Sequence, residues 1–161
     1  ALAAGAERIA VYKFFDHGGP PPGGESYGLF RPDGSARPAA DAFRMVTTYF
    51  SGAQQTTYQL QPRHWLVTLN RGAAITRIAW ARTANAVTLP LRATPNIAAV
   101  ALFNHRGESI PIEADRKGYY RLTLPAALCD EVNGCVVGGS PWIVVETIGA
   151  AAETKAVRES G

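Results

Sequence analysis

From residue 53 onward, apolar and polar positions alternate with a period of two, in short runs separated by turn signals. Tyr58 and Leu60 alternate in TYQLQ, Trp65, Val67 and Leu69 in HWLVTLN, and Thr76, Ile78 and Trp80 in ITRIAWA. Val87, Leu89 and Leu91 follow in AVTLPLR, Val100 and Leu102 in AAVALF, Ile110 and Ile112 in SIPIE, and Tyr120, Leu122 and Leu124 in YYRLTL. The last run, WIVVE, spans 142–146. Asn70-Arg71-Gly72, His105-Arg106-Gly107 and Arg116-Lys117-Gly118 each place a glycine where a tight turn takes positive φ. Such a series of about eight strands with polar outward faces predicts an antiparallel β-sandwich over 53–148.

Before Gly52 the period is different. Ala39, Ala42, Phe43, Val46 and Phe50 recur at three- and four-residue spacing, which predicts one apolar helix face that Gly52 ends. Arg31-Pro32-Asp33-Gly34 is turn chemistry, and Ser35 and Pro38 mark the helix start. Upstream, LAAGA suits a helix end, and IAVYKFF is nearly continuous in apolar character, as a strand buried on both faces would be. A Gly/Pro-rich loop from Asp16 to Gly24 follows it. That loop has no Gly-Lys-Ser/Thr and no helix directly after it, so a phosphate cradle is excluded. One strand and one helix cannot cover each other's faces, so residues 1–52 read as part of something larger.

Composition narrows the partners. The 161 residues are 47% hydrophobic and 18% charged, with a net charge of +3. Arg63, Arg71, Arg77, Arg82, Arg92, Arg106, Arg116 and Arg121 fall about one per strand or turn and read as solvated faces, with no nucleic-acid surface among them. No run is long enough to cross a membrane, and ALAAGAERIAVYKFF carries Glu7, Arg8 and Lys13 where a signal peptide would be apolar. Cys129 and Cys135 close a short segment, CDEVNGC. His17, His64 and His105 all lie in other segments, so a local disulfide fits better than a zinc site or two free thiols, and no metal or cofactor is expected. A disulfide implies an oxidising compartment, hence an extracellular or cell-surface location.

AVYKFFD, the Gly/Pro loop and ESYGLFRPDGSARPAADAF together resemble the last strand and helix of a clan-A (β/α)8-barrel glycoside hydrolase. The most specific match is Tyr27-Gly28-Leu29 with Arg31-Pro32-Asp33-Gly34 and Arg37-Pro38-Ala39. The β-rich remainder, with its late cysteine pair and Gly138-Gly139-Ser140-Pro141-Trp142, is similar to the accessory C-terminal sandwich of secreted bacterial members. The resemblance implies a mixed fold: a truncated α/β barrel unit (eighth strand and eighth helix) over 1–52, an antiparallel β-sandwich over 53–148, and a disordered tail over 149–161. It implies a carbohydrate substrate, and the missing N-terminal part of the barrel as partner. The family's two catalytic carboxylates stand at the ends of strands four and seven, which this chain does not contain, so the resemblance implies no hydrolase activity in this chain alone.

Because substrates bind at the C-terminal ends of barrel strands, the resemblance assigns sugar contact to Phe14, Phe15, Asp16, His17, Glu25 and Tyr27. Phe14 and Phe15 serve either as a sugar platform or as core, and Asp16 either holds a sugar hydroxyl or caps the turn before Gly18. Trp65, Trp80 and Trp142 are in phase with apolar strand neighbours and read as core. The alternative to an enzyme fragment is a non-catalytic carbohydrate-binding or structural β-sandwich.

Overall fold

The computed structural model describes residues 13–16, 27–132 and 134–149. Its elements are α1 (Pro38–Tyr49), β1 (Gln55–Leu60), β2 (His64–Asn70), β3 (Ala74–Ala81), β4 (Val87–Arg92), β5 (Ile97–Asn104), β6 (Ser109–Ile110), β7 (Tyr119–Leu124) and β8 (Trp142–Ile148). Every alternating run of the sequence contains a strand, although SIPIE is one only at Ser109–Ile110, which leaves Ile112 outside it. The three turn glycines, Gly72, Gly107 and Gly118, take φ of 78°, 86° and 78°.

Two antiparallel sheets form, one of six strands in the order β1-β2-β3-β8-β5-β6 and one of only two, β4-β7. Val87, Leu89 and Leu91 of β4 and Tyr120, Leu122 and Leu124 of β7 point inward and meet Leu66, Ala79, Leu102 and Val144 of the large sheet. Pro90 sits in β4 without breaking a ladder because, among the described residues, β4 pairs on one side only, with β7.

The opposite face of the large sheet is also covered. Met45, Tyr49 and Phe50 at the end of α1 pack with Leu69, Ile78, Ile143, Val145 and Phe103, and Tyr49 stacks on Phe103 with ring centroids 4.9 Å apart. The end of α1 needs acceptors satisfied, since the last carbonyls of a helix have no partner within it. Here side chains of β3 and of the turn before it supply the donors: Thr76 Oγ1 donates to the Tyr49 carbonyl (2.8 Å), and Arg71 donates to the carbonyls of Thr48 (3.1 Å) and Ser51 (2.9 Å). The last turn has no basic residue of its own, so Arg71 also provides the cation that the helix dipole favours there.

The architecture is therefore three layers: helix, six-stranded sheet, two-stranded sheet. This overturns the expected truncated α/β barrel unit. Among the described residues there is one short helix, two antiparallel sheets and no barrel. The helix that needed a surface finds it on the sandwich itself. The supposed doubly buried strand is, in its described part, residues 13–16, where Phe14 and Phe15 are half exposed and only an isolated parallel bridge joins Phe15 to Phe30. The expected helix end at 2–6, the rest of that strand, the loop residues 17–26 and the tail from 150 on lie outside the described residues. The buried face of α1 is centred on Ala40 and Met45, while Ala39, which the spacing placed inside, is exposed.

One polar cluster lies within the apolar layer between the sheets. Glu146 of β8 is fully buried. It pairs with Arg77 of β3, accepts from the Thr94 amide (2.8 Å) and hydroxyl (2.6 Å), and accepts from the Tyr120 hydroxyl (3.0 Å). Burial, helped by the neighbouring Glu146, pushes the Tyr120 phenol up to about 12.

Candidate functional site

The segment from Tyr27 to Arg37 lies against residues 13–16 and is held by backbone bonds. Leu29 N donates to the Lys13 carbonyl (3.2 Å), Phe30 N to that of Phe14 (3.0 Å) and Asp16 N to that of Phe30 (3.0 Å). The chain then turns through Arg31-Pro32-Asp33-Gly34, closed by Gly34 N donating to the Arg31 carbonyl (2.9 Å) and by Ser35 N donating to Asp33 Oδ1 (2.9 Å). Those backbone and hydroxyl donors hold the Asp33 carboxyl below its ordinary value.

Asp16 is the clamp of this assembly. It is 6% exposed. Oδ2 accepts from Arg37 Nη2 (2.6 Å), Oδ1 accepts from the Gly28 amide (2.8 Å), and Lys13 Nζ stands 3.6 Å from Oδ1. The Arg37 hydrogen bond, then the Gly28 amide, hold its carboxyl below the ordinary 3.8 against the opposing effect of burial. Gly28 is required by space: a Cβ there would stand 2.7 Å from Asp16 N and 2.8 Å from Asp16 Oδ1. Asp16 thus reaches across to Gly28 and Arg37, and its two oxygens are occupied by the protein.

Beside the clamp, three phenylalanines cluster. The ring centroids of Phe14, Phe15 and Phe30 lie 5.1 to 5.3 Å from one another. Phe14 and Phe15 are about half exposed and Tyr27 is 66% exposed. The structure therefore brings Phe14, Phe15 and Asp16 together and sets Tyr27 one residue before the clamped Gly28, while His17 and Glu25 lie outside the described residues. Sequence reasoning missed Phe30, Gly28 and Arg37 as members of this group. The available signal was Gly28 between two large side chains, Tyr27 and Leu29, a usual mark of close backbone approach.

Asp16 ionises more readily in the folded chain than in the unfolded one. Its contribution to stability is therefore complete above the unfolded carboxylate value and is lost as pH falls through the lower folded value. Asp16→Asn is expected to flatten that acid limb and to speed hydrogen exchange of the Gly28 amide. An unchanged acid profile together with unchanged Gly28 exchange would show that the clamp has no energetic role.

A disulfide joins Cys129 and Cys135. Its loop is tied to the sandwich by Ala127 N donating to Thr83 O (2.8 Å), Gly139 N to Ala81 O (2.9 Å) and Arg82 Nη1 to Val136 O (2.7 Å). Of the three tryptophans, Trp142 packs on the inter-sheet core and donates from Nε1 to the Thr123 carbonyl (2.8 Å), and Trp80 packs on the cluster under α1. Trp65 belongs to neither core; it meets Trp80 edge-on and carries the Arg82 guanidinium 4.1 Å above its ring.

No protein-family model matches the sequence, and no curated protein matches it. Among solved structures, the fold is similar to parts of glycoside hydrolases of families 39 and 30. It is similar to part of a family 39 glycoside hydrolase from the gut symbiont Bacteroides cellulosilyticus WH2, at 20% identity and a TM-score of 0.55, over 75% of this chain and 22% of that one. It is also similar to Xyn30A, a glycoside hydrolase family 30 subfamily 8 xylanase from Clostridium acetobutylicum, at 11% identity and 0.52, over 77% and 32% of the two chains. A family 30 endoxylanase from Clostridium papyrosolvens C71 matches at 12% identity and 0.55, over 75% and 30%. The chain thus spans between 22% and 32% of the length of these enzymes. At such identities the likeness is one of fold.

Proposed function

We propose that this chain is the accessory β-sandwich portion of a secreted glycoside hydrolase acting on O-glycosidic bonds of a polysaccharide or oligosaccharide, and that it carries no catalytic carboxylate pair. The observation that carries this reading is the confinement of the fold likeness to under a third of each glycoside hydrolase, two of them xylanases. Carboxylate chemistry supports it. Glycoside hydrolysis needs two carboxyl groups about 5 to 9 Å apart with a sugar between them. The two buried carboxylates among the described residues, Asp16 and Glu146, are each saturated by protein donors, one in a loop clamp and one between the sheets. Secretion is supported by the disulfide, which persists in oxidising compartments.

In this reading the half-exposed Phe14, Phe15 and Tyr27 face the sugar-binding part of the larger enzyme, Asp16 fixes the loop that carries them, and His17 and Glu25 belong to the same sequence segment. The chain alone, incubated with xylan, cellulose and mannan, is expected to release no reducing sugar. The coding sequence upstream of Ala1 is expected to encode a domain with the paired carboxylates. Sugar release by the chain itself, or an upstream region without such a domain, would overturn the proposal.

A further inference from the structure

Of the chain's aspartates, only Asp33 is followed by glycine. The pair lies at the tip of the turn between Phe30 and α1, and both residues are exposed. An Asp-Gly peptide is a chemical weak point, because the glycine amide can attack the neighbouring side-chain carboxyl and glycine has no side chain to hinder it. Two features of this turn favour the attack. Ser35 N donates to Asp33 Oδ1 (2.9 Å), which folds the Asp33 side chain back over the Gly34 peptide and brings its carboxyl carbon beside the Gly34 nitrogen. Gly34 stands at φ 82°, and apart from its chain neighbours no heavy atom lies within 4 Å of where a Cβ would be, so that flank is open to ring closure.

We propose that Asp33-Gly34 is a site of spontaneous backbone isomerisation, and that the conversion unfastens the Asp16 clamp. The step needs only the turn and water. Gly34 N bonds to Asp33 Cγ, the protonated carboxyl loses its hydroxyl with the amide proton as water, and a succinimide ring results. Water then adds to one of the two ring carbonyls. Opening at the α-carbonyl leaves the chain running through Cγ, one carbon longer, with the α-carboxylate free. The consequence follows from what the turn holds. Gly34 N donates to the Arg31 carbonyl (2.9 Å), Arg31 N to that of Ser35 (2.9 Å) and Arg37 N to that of Leu29 (2.9 Å), so the turn sets the register that presents Arg37 to Asp16. An added backbone carbon displaces the Gly34 amide from Arg31 and shifts the bonds that follow. Arg37 then loses its fit to Asp16, and the Gly28 amide, held by the same carboxylate, is released with it. The turn also sets the pace. Its Ser35 donors, with Arg31 beside them, keep the Asp33 carboxyl ionised, and an ionised carboxyl has no hydroxyl to lose. The conversion is therefore slow at neutral pH and quickens as pH falls, which makes it an ageing process and not a rapid switch.

The test is incubation of the full folded chain at mildly acidic pH in water enriched in heavy oxygen, continued until the same chain in denaturant has converted. Peptide mapping is expected to find heavy oxygen and isoaspartate at Asp33, and neither at Asp41 or Asp115, which precede Ala42 and Arg116. The isoaspartate form is expected to exchange its Gly28 amide several-fold faster than the unconverted chain. Asp33→Glu, whose longer side chain closes a larger and slower-forming ring, is expected to stay unconverted, with Gly28 exchange constant over the incubation. A folded chain that acquires neither mark overturns the site. Isoaspartate at Asp33 with Gly28 exchange unchanged, or Gly28 exchange that quickens equally in Asp33→Glu, overturns the link to the clamp.

Discussion

Replacing Glu146 by alanine is expected to lower the stability of the fold by about 3 to 5 kcal/mol, the usual cost of breaking a buried ion pair from one side. Glu146 is fully buried, and its partner Arg77 is 15% exposed at the side chain. Alanine would remove the acceptor of four donors: Arg77 Nη1, the Thr94 amide, the Thr94 hydroxyl and the Tyr120 hydroxyl. Each lies in or beside the layer between the sheets, where an unmade hydrogen bond costs the full desolvation of the group. Arg77 also donates to Thr94 Oγ1 (2.8 Å), so the loop after β4 is tied to β3 and β8 through the same atoms. Glu146→Gln keeps the shape and one acceptor and is expected to cost distinctly less than alanine. Denaturant midpoints of the three proteins measure both effects. If Glu146→Ala and Glu146→Gln shift the midpoint equally and by little, the network is not what joins the two sheets.

The reason Glu146 was not read from the sequence is instructive. Alternation in ITRIAWA put Thr76, Ile78 and Trp80 on one face and Arg77 on the other, and for a two-layer sandwich the face with the arginine is the wet one. The alternation was right. Ile78 and Trp80 do share a face with Thr76, but that face lies under α1, and Arg77 points into the core between the sheets. A third layer makes both faces of the large sheet interior, and period-two patterning cannot announce a layer contributed by a distant helix. Arg71 was misread for the same reason, since a turn arginine looks solvated until a helix end is laid beside it.

The strands were legible because each holds its own alternation, and the turns because glycine is needed at positive φ. The clamp was legible in part. Asp16 was singled out, but its partners lie 12 and 21 residues away, at Gly28 and Arg37, and no local period links them. The aromatic cluster shows the same limit: Phe14 and Phe15 were named, and Phe30 joins them only through the bridge that the fold makes.

Met45→Ala tests the third layer by the sign of its effect. On a helix that leaned on nothing in this chain, as the barrel-unit expectation had it, alanine would be neutral or stabilising by roughly a few tenths of a kcal/mol, because alanine is the better helix former. In the fold described here Met45 is 7% exposed and belongs to one apolar cluster with Leu69, Ile78, Ile143 and Val145. Truncation should therefore leave a cavity between helix and sheet and cost about 2 to 5 kcal/mol. Its Sδ already lies close to Gly107, within 2.8 Å of where a Cβ on that residue would stand, so the side chain also fills the space under the turn after β5. Leu69→Ala, on the sheet side of the cluster, should cost a similar amount, and the double variant should fall short of the sum because both changes open the same cavity. Full additivity would mean that the two residues do not share a cavity. A neutral Met45→Ala would mean that α1 is not held to the sheet, and the sandwich would then stand as two layers.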